Sequence, residues 1–311
     1  VTAGEPGAMI FPTAEELKRF ILDHELPLRS REFADAATVF RYGAFVGSTL
    51  EHHDTLERTM DRARTLINIT EDADKSVASG TVITARTLSC SRGRFSRSWH
   101  APTGGLWGCL IHANTLLAAS RRFLSLAVGV ACCEAVRQVG TTASYLRWVN
   151  DVLIDKKKVA GFLIQGYSGL HRHGEYDLIG FGINLNNRTF PAELQATAIS
   201  LTEKIGEPVD LYHFTLVFLA KMSWNIGLLY YEEARDLSGD GFSGSGGQHL
   251  LLQRWKELSD TVGQRVVYGQ NVFDAPLYEA TVVELQDDGA LLLQLDDGSC
   301  MSVQSGEIRY V

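Results

Sequence analysis

The chain has 311 residues, 45% of them apolar and 21% charged, and carries a net charge of −8. That is room for one large domain and a small one, with the composition of a globular protein. The negative charge argues against general binding to nucleic acid, and the longest apolar run, residues 123–136, is too short and too interrupted to span a bilayer. Five cysteines, two of them adjacent (Cys132, Cys133) and none at metal-ligand spacing, fit reduced thiols in a cytoplasm. No signal-peptide pattern stands at the amino end.

Residues 1–54 read as an N-terminal extension with one helix. Thr13-Ala14-Glu15-Glu16 ahead of Leu17, Phe20 and Ile21 is a capping box before an amphipathic stripe. One helix followed by Pro27 does not make a helix-turn-helix DNA reader. Leu56, Met60, Ala63 and Leu66 at helical spacing predict a helix over 55–67, and the β-branched stretch 81–85 predicts a strand.

Next comes Arg92-Gly93-Arg94-Phe95-Ser96-Arg97-Ser98-Trp99. Three guanidiniums spaced by small residues suit a mobile loop that closes on an anion, because Arg pairs its planar donors with phosphate oxygens and Gly93 permits close backbone approach. Further strands are expected over 106–113, 145–148, 152–154, 159–165 and 177–185, with a buried helix over 121–139 and helix from 191 onward, mainly 211–234. The Gly/Ser-rich stretch 238–247 marks a boundary. A helix over 250–258 and strands over 279–285, 290–295 and 301–303, joined by Asp-Gly turns, then predict a small SH3-like barrel. The fold class is therefore α+β: a mixed sheet with packed helices over 55–247, and an all-β unit over 248–311.

Three features stand in order: the arginine loop ending at Trp99; Arg147-Trp148-Val149-Asn150-Asp151 with Lys158 and Gly161 after it; and Gly180-Phe181-Gly182-Ile183-Asn184. Together they resemble the biotin protein ligases, whose motifs read GRGRxxRxW, KWPND followed by KxxG, and GxGIN. The resemblance covers roughly residues 55–311, including the C-terminal Gly306-Glu307-Ile308. It implies a ligase without a DNA-binding domain, which activates biotin with ATP and Mg²⁺ to biotinoyl-adenylate and transfers it to a lysine of a biotin carboxyl carrier domain. It also implies a monomer or homodimer.

Carried over residue by residue, the resemblance makes Lys158 the bridge between the carboxylate and the α-phosphate. Arg94 becomes a charge stabiliser, and Asp151 the partner of Lys158 or of the incoming amine. Arg92, Gly93, Arg97 and Trp99 would hold the adenylate, with Asn184 an exposed amide near the triphosphate. Thr59, Leu88 and Gly161 fall at the biotin pocket, and no residue set suggests a dedicated metal site. The chain departs from the pattern at Ser91 and Ser96 in the loop, at Arg147 and Val149 in the second motif, and at Leu88, where the family has a glutamine that reads the ureido group. The family's Ser-Thr-Asn aligns either with Arg58-Thr59-Met60 or with Gly47-Ser48-Thr49. Losing polar readers weakens discrimination, which leaves two alternatives: a relative using lipoate or octanoate, or a binding protein on the same fold.

Overall fold

The structure, a computed structural model, describes residues 11–140, 142–149, 151–171, 174–239 and 249–311. Thr13 opens α1 (Ala14–Phe20) with the expected capping box. The Glu16 amide donates to Thr13 Oγ1 at 3.2 Å and the Thr13 amide to the Glu16 carboxylate at 2.8 Å. A π-helical turn (Ile21–Glu25), α2 (Leu26–Ser30) and α3 (Ala36–Gly43) follow, so more than one helix precedes residue 54. Pro27 does not end helical structure because it sits in the first turn of α2, where no N–H is required.

The helix expected from Thr55 starts later, as α4 (Thr59–Asp72), and Thr55 belongs instead to strand β1 (Thr49–Leu56). Polar Glu51, His52, His53 and Asp54 hide this strand in the sequence. It lies at a sheet edge and pairs on one side only, in parallel with β2 (Thr81–Leu88). There follow β3 (Leu106–Ala113), α5 (Ala118–Arg121), α6 (Leu124–Gly140), β4 (Tyr145–Arg147), β5 (Asp151–Ile154), β6 (Lys157–Ser168), β7 (Glu175–Ile183), α7 (Leu201–Ile205) and α8 (Leu211–Ser238). Residues 192–197 are turns rather than the expected helix, and α8 begins at a true cap, with the His213 amide donating to Asp210 Oδ1 at 3.0 Å. The seven strands form one mixed sheet in the order β1-β2-β3-β7-β6-β5-β4, antiparallel except for β1 and β2.

Period-two alternation gives this sheet two different faces. Leu106, Leu110, Ile179, Phe181 and Ile183 point to α6 and α8 and pack with Val128, Phe214 and Phe218, and the Phe181 and Phe218 rings lie 5.2 Å apart. Their neighbours Cys109, Ile111 and Leu178 point the other way and meet Met60, Ala63 and Ile67 of α4. Buried side chains of this size each contribute about 1.5–3 kcal/mol.

After α9 (Leu250–Leu258), which packs on α6 and α8, come β8 (Arg265–Gly269), β9 (Tyr278–Leu285), β10 (Leu291–Gln294), β11 (Cys300–Val303) and β12 (Glu307–Tyr310). They form a five-stranded antiparallel sheet ordered β11-β10-β9-β8-β12. Gly289 and Gly298, in the Asp-Gly turns, have φ of 82° and 83°, the left-handed region those turns require. The Trp148 indole N–H donates to the Gly289 carbonyl at 3.2 Å and ties the two sheets together. Most of the Gly/Ser-rich boundary lies outside the described residues. No helix among the described residues is long and apolar enough to cross a membrane.

Candidate active site

Strand register builds the floor of the site. Trp107 of β3 pairs with Gly182 of β7, Gly182 with Gly161 of β6, and Gly161 with Asp151 of β5, a single row on the face opposite α6 and α8. The glycines are needed where the row is crossed by side chains. A Cβ on Gly182 would stand 2.6 Å from the Trp99 indole, and one on Gly161 would stand 2.8 Å from Lys158 Nζ.

Strict alternation would place Lys158 and Gly161, three residues apart, on opposite faces. A β-bulge prevents that. Val152 of β5 pairs with Ala160 but Leu153 pairs with Lys158, so Val159 is the extra residue. Val159 and Ala160 both turn into the helix-covered core, and Lys158 is returned to the cavity face.

Lys158 Nζ stands 2.5 Å from Asp151 Oδ1 and 5.3 Å from the centre of the Trp99 ring. The other carboxylate oxygen of Asp151 accepts from Arg147 Nη2 at 2.6 Å. Burial alone would raise the Asp151 pKa, but Lys158 and Arg147 outweigh it and hold the carboxyl well below its ordinary value. Asp151 is thus a fixed anion between two cations.

The arginine loop closes the site from above and is internally bonded. The Gly93 amide donates to the Arg97 carbonyl at 2.8 Å, and the Trp99 amide to the Ser91 carbonyl at 3.0 Å. Phe95 and Ser96 carry φ of 54° and 59°, an unfavourable region for residues with a Cβ. The loop is also tied to β12 and the residue before it, with Arg94 Nη1 donating to the Gly306 carbonyl at 2.8 Å and Arg97 pairing with Glu307.

Between the glycine row, the loop and β12 lies a cavity of about 470 Å³, within the range of small-molecule sites. Its lining includes Lys158, Arg94, Asp151, Arg92, Gly93, Arg97, Trp99, Asn184, Thr59, Leu88 and Gly161, every residue expected at the site. One expectation needs correcting. Asn184 is not an exposed amide: it is 3% exposed, donates to the Lys158 carbonyl at 3.4 Å and accepts from Asn187 at 3.1 Å. It fastens the strand end that carries Lys158. Asn150 lies outside the described residues.

The lining also contains Phe190, Phe273 and Tyr310, which were not expected at the site, and Arg58 and Met60 on either side of Thr59, as the first of the two alignments implied. Only the Gly306-Glu307-Ile308 stretch hinted that the C-terminal sheet reaches this cavity. Among the described residues no group of three or more His, Cys, Asp or Glu could hold a metal. The cavity carboxylates Asp151 and Glu307 are both ion-paired.

A model of the biotin/lipoate A/B protein ligase family matches residues 57–184. The bifunctional ligase/repressor BirA of Bacillus subtilis is 27% identical over 256 residues, 81% of this chain and 71% of that protein. The biotin–[acetyl-CoA-carboxylase] ligase of Paracoccus denitrificans is 30% identical over 143 residues, 42% of this chain and 57% of that one. Among solved structures, the biotin protein ligase from Aquifex aeolicus in complex with biotin and ATP superposes with a TM-score of 0.66 at 22% identity, covering 85% of this chain and 99% of that one. Residues 57–184 thus carry a domain of the biotin/lipoate A/B protein ligase family, and the all-β sheet that follows completes the domain order in which the chain is similar to the biotin protein ligases.

Proposed function

We propose that this cavity joins biotin to AMP and passes the acyl group to a lysine of a carrier protein. The observation that carries the reading is the convergence of Lys158 and Arg94 on one cavity floored by glycine. In the first step a carboxylate oxygen of biotin attacks the α-phosphorus of ATP, the bond to the bridging oxygen breaks, and pyrophosphate leaves. Two anions must meet, so fixed cations have to offset the charge that develops. Lys158, between the two reactants, fills that role; Arg94, with Arg92 and Arg97, neutralises the phosphates.

Gly93 keeps the loop backbone close to the nucleotide, and Trp99 covers it and excludes water from the mixed anhydride. Asn184 acts through the Lys158 carbonyl. Gly161, Thr59 and Leu88 bound the acid. In the second step the acceptor lysine, as a free amine, attacks the acyl carbon, AMP leaves with the former carboxylate oxygen, and the amine loses a proton. Asp151 is positioned to hold that amine near Lys158. Magnesium would arrive on the triphosphate, because the carboxylates of the cavity are already paired; bound there, it neutralises phosphate charge.

The test is pyrophosphate release by purified protein given ATP·Mg²⁺ and biotin. Lys158→Ala should cut the rate by about 10²–10³-fold while the chain remains folded at the assay temperature. An unchanged rate would remove Lys158 from the reaction. A second reading is favoured by one observation: Leu88 presents an apolar side chain to the cavity. It predicts faster release with lipoate or octanoate than with biotin.

A further inference from the structure

Arg58 immediately precedes α4 in extended backbone, with φ of −150°, and lines the cavity together with Thr59, Met60 and Leu88. Its side chain is only 23% exposed, yet its guanidinium makes no hydrogen bond to any described residue. Its charge contact is Asp61 at 3.6 Å, and that carboxylate is itself 46% exposed and already bonded to Arg64. The five N–H donors of Arg58, with no acceptor capacity, define what it can receive.

The neighbours sharpen that definition. Met60 and Leu88 offer no polar partner for an acid, and Met60 sits against Gly180, where a Cβ would stand 2.9 Å from its sulfur. Apart from the Thr59 hydroxyl, these side chains supply donors only. Lys158, at the reacting carboxylate, lies against Gly161 of the glycine row and is paired with Asp151. The cavity therefore has a cation for the reacting group and a separate donor fork beside α4.

We infer that Arg58 selects the acid by donating to an oxygen acceptor remote from the reacting carboxylate. The inference rests on the ligase reading above. The shared chemistry is a carbonyl or carboxylate oxygen at the distal end of the acid. Two sources supply it: the urea carbonyl of biotin, or the second carboxylate of a linear dicarboxylic acid. An acid ending in a methyl group has none.

The experiment compares the full chain with Arg58→Met and Arg58→Lys in ATP-dependent pyrophosphate release, using biotin, heptanedioate and octanoate. The wild type should prefer biotin or heptanedioate to octanoate, and which of the two it prefers identifies the source. In Arg58→Met, kcat/KM for the preferred acid relative to octanoate should fall about tenfold or more, through KM with kcat unchanged, and Arg58→Lys should restore part of it. A wild-type preference for octanoate, an unchanged ratio, or a loss in kcat accompanied by a lower thermal midpoint would overturn the inference. If no acid supports release, the ligase reading fails, and calorimetric titration with the same three acids still decides the role of Arg58. Binding of the oxygen-ended acid that Arg58→Met abolishes supports it; binding that is absent, or insensitive to the substitution, overturns it.

Discussion

The two faces of the seven-stranded sheet are made by the same strands and do opposite things. Toward α6 and α8, β7 presents Ile179, Phe181 and Ile183, all buried and close-packed. Toward the cavity the alternate residues are Gly180 and Gly182, and the next strand adds Gly161 and, through its bulge, Lys158. One face spends its side chains on packing along its whole length; the other packs under α4 at one end and, over the cavity, removes them and then readmits a few charged ones. Stability and chemistry are thereby separated by a single residue of register.

Three substitutions break or sharpen that separation, the largest effect first. Phe218→Ala, on the packed side, should cost about 3–5 kcal/mol of stability, measured by denaturant unfolding, while the KM values of the molecules that remain folded stay unchanged. Gly182→Ala, on the open side, should do the reverse. Its new methyl would stand 2.6 Å from Trp99, and displacing the indole should lower kcat/KM for ATP by about 10–100-fold with little change in unfolding. The smallest effect concerns acid. The Asp151 carboxyl titrates below its ordinary 3.8 in the folded chain, so its stabilising contribution is complete above that value and is lost as pH falls through the depressed one. Unfolding free energy should therefore fall more steeply below pH 3.8 in the wild type than in Asp151→Asn; parallel curves would show that the ion pairs contribute nothing to stability.

These faces were unevenly legible in the sequence. The capping box at Thr13, the long helix α8 and the three motifs could be read directly, because each depends on local chemistry or short spacing. β1 could not, since an edge strand of Glu, His and Asp lacks the apolar alternation that marks its neighbours. The bulge at Val159 leaves no compositional mark, although it decides which face Lys158 occupies. Asn184 was misread for a related reason: its two hydrogen-bond partners, Lys158 and Asn187, converge on it only in the folded chain. The tie between Arg97 and Glu307 spans 210 positions and is set entirely by how the C-terminal sheet docks.

The most direct test of the account follows an oxygen atom. Biotin labelled with ¹⁸O in its carboxylate is incubated with ATP·Mg²⁺, the protein and a carrier-domain acceptor, and the AMP is analysed by mass spectrometry. If the acid attacks the α-phosphorus within this cavity, one labelled oxygen must leave with AMP each time an acceptor lysine is acylated, and Lys158→Ala must suppress the labelled product. Unlabelled AMP, or ADP in its place, would contradict the account.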